Sequence, residues 1–460
     1  MRQRSLWALG LAGVVGAGLL AACGGSSSSG SSGSGTKTIT VEYWTNFDTP
    51  GTNATLKLIN AAAKQLEAAH PGVKVVTDPI TSDSESAYYT KLDLAESSAS
   101  TSPDVVMEDS FLIGADASAG YIQPIPELSS WSGWSAFPQA MQQISTYNGK
   151  IYGAMNSTDV QVIYYDKTVF QKAGIPVPWQ PHSWADILAA AKKIKQKDSG
   201  VIPAWLYTGT PLGEASSFRG FEVFLNGTND RIYDDSAKKW EAGGPGFNAT
   251  WNFLAAMKPY EEPEADWSNP NASETANLTD MPQHKLGMII DGSWVSTSFV
   301  PGGPKPWPGF FTDYGEAKLP TENGSGAGYV DESGGFAWSI PARAPNRSLA
   351  LDMVETLSSA ANIAQFDATD GNLPPRTDAT SQPAWSKINK EDPVLTFASS
   401  LLQYTTYRPN LPDYTQISTE IAALTGDVSS GSMTAAQAAA AYKAKVTQIV
   451  GASNAEEAGS

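Results

Sequence analysis

The chain has 460 residues, with 30 basic and 47 acidic side chains and a net charge of −17 at neutral pH. So acidic a protein repels phosphate groups, which excludes nucleic acid as a partner and disfavours strongly anionic ligands. Cys23 is the only cysteine, so the folded part has no disulfide, no cysteine metal site and no cysteine nucleophile. The length predicts two or three domains.

The N-terminus predicts a signal peptide over residues 1–22. Two arginines precede an apolar or small run that ends in Leu20-Ala-Ala-Cys23. This ending resembles a bacterial lipobox, in which the cysteine is acylated, palmitate being one such acyl chain, and becomes the first mature residue. We therefore expect lipidation of Cys23 and a location on the outer face of the cytoplasmic membrane, with lipid as the only membrane attachment. The alternative is a single membrane-spanning helix, for which the run is short.

Gly and Ser fill positions 24–35, so residues 23–36 are predicted to be a flexible tether of about 20 Å root-mean-square length. At the other end of the chain, residues 451–460 are predicted to be a disordered tail.

Strand and helix patterns alternate along the first part of the chain. They predict strands at 38–44, 73–76 and 103–107, with helices between them and one ending near Gly120. This alternation is typical of a parallel α/β sheet over residues 37–120.

The rest of the chain continues in the same style. Later strands are predicted at 151–155, 160–165, 285–290 and 336–340, and helices at 184–195, 247–258 and 348–359. A capping box at Thr434 predicts the start of a last helix.

Five segments together resemble a known family. They are Ile39–Trp44, Ser102–Asp109, Asn148–Ile187, Gly287–Trp294 and Gly334–Arg376. In order and spacing they resemble the extracellular solute-binding proteins of ABC importers, in the carbohydrate-binding group related to maltose-binding protein.

The resemblance implies a type II periplasmic-binding-protein-like α/β fold. Each of its two lobes would be a mostly parallel sheet flanked by helices, with the ligand cleft between the lobes. Lobe 1 would comprise 37–159 plus 319–358, and lobe 2 would comprise 160–318 plus 359–450. The implied ligand is a carbohydrate, either a disaccharide or an oligosaccharide. The implied protein partners are the permease subunits of an ABC importer. The resemblance also implies that the protein is a monomer and that it has no catalytic residues, cofactor or metal.

Candidate ligand-binding residues in lobe 1 lie at the carboxyl ends of predicted strands. Trp44 could stack on a sugar ring or pack under a loop. Asp48 and Glu85 could accept hydroxyl protons or stabilise helix N-termini. Glu108 and Asp109 follow the third strand, and Asp109 is the preferred ligand-binding residue of the two.

Candidates elsewhere complete the expected site. Trp294 is the strongest stacking candidate in lobe 2, whereas Asp291 is interpreted as a turn residue before a glycine. The remaining candidates are Asp159, Trp205, Tyr207, Glu214, Gly334, Gly335 and Arg376. The Trp- and Pro-rich segment 301–308 departs from the family pattern and could reshape one end of the cleft.

Two other classes of function stay open. A secreted glycan-active hydrolase would also use paired carboxylates and many aromatic residues. A non-sugar solute such as a polyamine or a glycerol phosphodiester is the other alternative, although phosphate would favour more basic residues than these motifs contain.

Overall fold

The structure is a computed structural model that describes residues 36–82, 84–267, 269 and 271–459. The predicted signal peptide, Cys23 and nearly all of the tether lie outside the described residues. Every described helix is too short or too polar to cross a membrane.

The strands are short, and most of them are buried. In chain order they are β1 Lys37–Trp44, β2 Val73–Ile80, β3 Val106–Asp109, β4 Thr146–Tyr147, β5 Lys150–Ile151, β6 Gly153–Met155, β7 Gln161–Asp166, β8 Tyr233–Asp234, β9 Lys239–Glu241, β10 Met288–Gly292, β11 Tyr314–Ala317, β12 Asp331–Ser333, β13 Phe336–Ser339, β14 Thr405–Tyr407 and β15 Ala455–Glu456.

The helices surround these strands. In chain order they are α1 Ala54–Ala69, α2 Glu85–Glu96, α3 Ile113–Ala119, α4 Gln139–Ile144, α5 Lys167–Lys172, α6 Trp184–Lys197, α7 Glu214–Ser217, α8 Val223–Leu225, α9 Pro245–Met257, α10 Glu264–Trp267, α11 Ala272–Thr275, α12 Phe310–Asp313, α13 Arg347–Leu357, α14 Ala360–Asp370, α15 Pro383–Glu391, α16 Pro393–Ser399, α17 Tyr414–Ser430 and α18 Ala435–Val450. Two π-helical turns, Phe218–Glu222 and Ala276–Asp280, interrupt the regular helices.

A first sheet runs in the order β2, β1, β3, β13 and β6. β1 pairs in parallel with β2 and meets the residue before β3 through a parallel bridge. β13 then pairs antiparallel with both β3 and β6. The parallel arrangement predicted for this region therefore holds among the first three strands, and the sheet as a whole is mixed.

A second sheet is centred on β7, which is buried along its whole length. β10 and β11 pair with it on either side, both antiparallel. The segment at Trp205 joins β10 by a parallel bridge. Pairing on both edges satisfies the backbone of β7, and its side chains are buried on both faces, which agrees with the unbroken apolar centre of Gln161–Asp166.

The chain passes from the first sheet to the second between β6 and β7, and it returns between β11 and β13. The lobe boundaries near 160, 319 and 359 stay a prediction. Helix α14, which those boundaries assign to lobe 2, packs against α1.

The C-terminus differs from the predicted disordered tail. After α18, Ala455–Glu456 forms β15 and pairs in parallel with β9. Backbone hydrogen bonds from Trp240 and Ala242 to this segment hold it in place. The capping box at Thr434 is confirmed, because Thr434 and Gln437 bond each other's backbone amides.

Candidate functional site

A cavity of about 320 Å³ lies between the two sheets, and we call it the cleft cavity. It is bordered by residues at or just after the ends of β1, β3 and β6 of the first sheet and β10 of the second. A neighbouring cavity of about 780 Å³ shares Trp44, Glu85, Tyr207 and Arg219 with it. Volumes of this order are typical of small-molecule sites.

The cleft cavity brings together most of the residues predicted from the sequence. Nine of the thirteen line it: Trp44, Asp48, Glu85, Asp109, Asp159, Tyr207, Glu214, Trp294 and Gly335.

Aromatic rings form part of the cavity wall. Trp294 is half-buried in the turn after β10. Trp44 stacks on Tyr88, with ring centroids 5.4 Å apart, and donates its indole N–H to the Ser82 carbonyl at 3.2 Å. Tyr207 has a left-handed φ of 59°. That conformation is costly for a bulky residue, and such strain is concentrated at functional sites.

Arg408 holds two acids of the cavity. Its guanidinium lies 3.1 Å from Asp109 Oδ1 and 2.8 Å from Glu214 Oε2, and it sits over the rings of Phe111 and Phe218. All three charged side chains are at least nine-tenths buried, so these bonds form with little competition from water. Burial raises the pKa of Asp109, and the Arg408 charge opposes that rise.

Arg219 is the second cation of the cavity, and it lies in the first π-helical turn. Its Nε donates to Gln161 at 2.9 Å, and its charge lies 3.6 Å from Asp291 Oδ1. The guanidinium is 5.0 Å from the ring centroid of Trp294 and 5.1 Å from that of Tyr207. It therefore lies against both aromatic faces and fixes their positions.

Asp291 anchors this arrangement and is more than the turn residue expected from the sequence. Its Oδ2 accepts hydrogen bonds from the Tyr207 hydroxyl and from Asn277 Nδ2, both at 2.6 Å. Asn277 belongs to the second π-helical turn. Both π-helical turns thus supply side chains to the cavity, and π-helical turns are frequent at functional sites.

Glu85 and Asp159 are among the cavity acids that make no ion pair in the described part of the chain. Glu85 and Asp159 are both half-buried. Desolvation raises the pKa of Glu85 to about 7, and the nearby charges of Glu214 and Asp109 add to that rise. Desolvation also raises the pKa of Asp159 to about 6, which Arg408 and Arg219 oppose. These carboxyl groups keep lone pairs for a ligand's hydroxyl groups.

Asp48 is committed to local structure although it lines the cavity. Its carboxylate accepts the backbone N–H of Thr55 at 3.0 Å and the Thr55 hydroxyl at 2.5 Å, at the start of α1. Helix capping, the alternative raised from the sequence, therefore accounts for this side chain.

Four predicted residues lie outside the cleft cavity. Glu108 precedes Asp109 on β3, so the alternation of side chains turns it to the opposite face. Trp205 is buried in the core at 1% exposure, where its ring packs edge-on against that of the cavity-lining Tyr207, with ring centroids 6.3 Å apart.

The other two have identifiable partners. Arg376 pairs with Asp378 and lies over the rings of Trp131 and Phe137. Gly334 lies against Arg408, where a Cβ would come within 2.1 Å of the guanidinium. It therefore supports the site by leaving room for that arginine.

The sequence analysis did not predict the two arginines of the cleft cavity. Arg219 lies in the apolar run Phe218-Arg-Gly-Phe221, and Arg408 follows a tyrosine. A lone arginine among apolar residues must find a carboxylate on folding, and that signal was available in the sequence. Other cavity residues that were not predicted are Asn46, Phe47, Thr49, Ser157, Phe218, Asn277, Phe336, Asp370 and Asn372.

The segment 301–308 does not line the cleft cavity. Trp307 packs its ring against Phe299 and Phe310, and Pro304 approaches Gly51. The segment therefore joins the core of the second sheet to the loop before α1.

Comparisons with known proteins agree with this architecture. A family model described as bacterial extracellular solute-binding protein matches residues 61–393. An ABC transporter extracellular-binding protein of Pyrococcus horikoshii is 24% identical over 337 residues, which cover 70% of this chain and 69% of that protein. The maltodextrin-binding protein MdxE of Bacillus subtilis is 23% identical over 340 residues, 72% of this chain and 74% of the relative.

A solved structure shows the same fold. It is an ABC transporter solute-binding protein of Thermotoga lettingae bound with alpha-D-tagatose, with a TM-score of 0.72 and 24% identity over 90% of this chain and 100% of that one. The chain belongs to the bacterial extracellular solute-binding proteins and has their two-lobe, type II α/β fold.

Proposed function

We propose that the protein is a lipid-anchored monomer that captures a carbohydrate in the cleft cavity and delivers it to the permease of an ABC importer. The observation that carries this proposal is the meeting of Trp294 and Tyr207 with Asp109, Glu85 and Asp159 in one cavity. Ring faces suit the C–H faces of a sugar, and carboxylates accept from its hydroxyl groups. The maltodextrin-binding relative supports the same ligand class.

The length of the ligand follows from the two adjoining cavities. The cleft cavity and its larger neighbour share Trp44 and Tyr207, so one chain of rings can extend from one into the other. This favours a disaccharide or an oligosaccharide.

An anionic solute fits the cavity less well. Arg219 and Arg408 are both engaged by carboxylates, so a phosphate would have to displace Asp291, Asp109 or Glu214. The alternative that the protein is a hydrolase is tested by incubation with an oligosaccharide. A hydrolase would cleave it, whereas a binding protein returns the sugar unchanged.

The ligand site is tested with Trp294→Ala and Asp109→Asn, one from each sheet. Loss of a buried aromatic contact commonly costs about 2 kcal/mol or more, and loss of a charged acceptor about 1.5–3 kcal/mol. Calorimetric titration with maltose, maltotriose and other di- and trisaccharides should therefore show affinity at least ~10-fold weaker in each variant.

Matched controls separate binding from folding. Glu108→Gln changes the neighbour of Asp109 on the opposite face of β3, and Trp179→Ala removes a tryptophan outside the cavity. Both should bind as the unmodified protein does. Unchanged affinity in Trp294→Ala and Asp109→Asn would mean that other residues hold the ligand.

The lipid anchor is tested separately at Cys23. Because acylation needs the thiol, Cys23→Ala should leave the precursor unprocessed or release the protein into the medium. Fractionation of membranes and medium measures this. A variant that is cleaved normally and stays on the membrane would contradict the lipidation proposal.

A further inference from the structure

A group of carboxylates lies on the side of β3 that faces away from the cleft cavity. Asp93 and Glu96 are one turn apart on α2, and Asp116 lies on α3. One carboxyl oxygen from each lies within 4.8 Å of the others. Glu96 and Asp116 are buried, and Asp93 is half-buried. We call these three residues, together with Glu108, the acidic cluster.

Glu108 gives the second, independent observation. It is fully buried, and no N–H or hydroxyl group among the described residues donates to either of its carboxyl oxygens. Its polar neighbours in the cluster are the carboxyl groups of Asp116 and Glu96, which can bond to it only by sharing a proton or a cation. Both oxygens of Glu96 and Oδ2 of Asp116 also lack an N–H or hydroxyl donor in the described part of the chain.

The acidic cluster has no basic partner for its carboxyl groups in the part of the chain that the structure describes. None of the ion pairs found in the described residues involves the acidic cluster, and Arg343 donates to the Glu96 backbone carbonyl at 3.2 Å rather than to its carboxylate. Glu96 is also the last residue of α2, where the helix dipole disfavours a negative charge. Glu42 adds a further repulsive charge from β1. Buried like charges need either protons or a cation.

We infer that the acidic cluster binds a divalent calcium ion. Its donors are all carboxylate oxygens, which hard cations prefer. Calcium–oxygen distances of about 2.3–2.6 Å let ligand oxygens lie up to about 5 Å apart, so oxygens that all lie within 4.8 Å of one another can share one ion. Magnesium usually keeps several waters and is seldom held by a set of protein ligands alone, which favours calcium in this buried group. The half-buried Asp93 gives the ion a route from solvent.

The site would stabilise the strand that carries Asp109 without taking part in ligand binding. Its ligands come from β3, α2 and α3 and follow no metal-binding motif, so the sequence predicted no metal. The inference does not depend on the identity of the cleft ligand.

Terbium luminescence tests the site directly in the purified protein after treatment with EDTA. Tyr88 lies beside Glu108 and Glu96, so it can sensitise a bound terbium ion. We expect saturation at one terbium ion per chain, displacement by calcium at concentrations up to about 1 mM, and a higher melting temperature in calcium than in EDTA.

Two variants and a matched control make the test decisive. Glu96→Gln and Asp116→Asn should each weaken terbium binding at least ~10-fold and abolish the calcium shift in melting temperature, because ligand charge sets calcium affinity. Because Asp93 is only half-buried, Asp93→Asn replaces either variant in the test if that variant fails to fold. Glu391→Gln makes the same change at the last residue of α15, on an exposed side chain, and should behave as the unmodified protein.

The opposite results would overturn the inference. Absence of saturable terbium and calcium binding to the unmodified protein would show that protons alone neutralise the acidic cluster. Terbium binding that survives in Glu96→Gln, Asp116→Asn and Asp93→Asn would place the ion elsewhere.

Discussion

The number of carboxylates that can be buried beside the cleft cavity depends on individual arginines. Asp109 and Glu214 are both buried, and Arg408 is the cation that pairs with each of them. Arg376 is equally buried, but its partner Asp378 is 46% exposed. Freed Asp378 would therefore be solvated, whereas freed Asp109 and Glu214 would not. The two arginines offer a matched comparison.

Arg408→Met should destabilise the protein by about 3–5 kcal/mol, because it leaves buried carboxylates without a partner. It should also weaken ligand binding, since Arg408 positions Asp109. Arg376→Met should lower the free energy of unfolding by less and leave the affinity for the ligand unchanged. Urea unfolding and calorimetric titration measure both effects. Equal losses of affinity in the two variants would show that Arg408 acts only through global stability.

At the scale of elements, the π-helical turn Phe218–Glu222 sets the position of Arg219. Gly220 lies in this turn, directly against the strained Tyr207. A Cβ on Gly220 would come within 2.2 Å of the Tyr207 carbonyl oxygen. Since that contact is with backbone, a rotamer change cannot relieve it.

Gly220→Ala should therefore cost about 1–3 kcal/mol in stability and weaken ligand binding, because it pushes the turn away from Tyr207. Gly200→Ala is the control. A Cβ on Gly200 would meet only an Asp198 carboxylate, at 3.3 Å, on an exposed loop. Denaturant unfolding should separate the two variants. A Gly220→Ala protein with unchanged stability and affinity would show that the turn tolerates the shift.

At the scale of the whole molecule, buried carboxyl groups outnumber buried arginines and lysines among the described residues. Burial raises the pKa of Glu42 and Glu222 to about 8 and that of Glu261 to about 9. Between the ordinary value of 4.5 and these values, the folded protein binds more protons than the unfolded chain. Raising the pH through this window therefore lowers the free energy of unfolding.

The ligand-free protein in EDTA should accordingly be more stable near pH 5.5 than near pH 8.5. Urea unfolding at the two pH values checks the sign. Glu261→Gln should reduce the difference, because the amide does not titrate, and Glu391→Gln at an exposed site should not. If the free energy of unfolding instead rises with pH, bound cations or a rearrangement of the structure must compensate the negative charge of the buried carboxylates.

The sequence predicted the elements well wherever local signals were strong. The helix before Pro71, the capping box at Thr434 and the strand ending at Trp44 depend on neighbouring residues, and all are present. It also placed candidates such as Asp109 and Trp294 at strand ends, where α/β proteins open their clefts. Their part in ligand binding stays a prediction.

Other features depend on residues far apart in the chain. β13 pairs antiparallel with β3, which lies more than 200 residues earlier in the chain, and with β6, which lies more than 180 residues earlier. Arg408 reaches Asp109 across 299 positions, and Asp291 joins Tyr207 across 84. No periodicity or local motif encodes such contacts.

The sequence by itself determined the family resemblance, the acidic surface and the order of strands and helices, because composition and periodicity are local properties. The tertiary structure alone decided what lies against each acid of β3: the carboxyl groups of Glu96 and Asp116 beside Glu108, and the guanidinium of Arg408 beside Asp109. Alternation along β3 turns the two adjacent side chains to opposite faces. Their surroundings, however, come from α2, α3 and the segment at Arg408, which are far apart in the sequence and meet only when the chain folds.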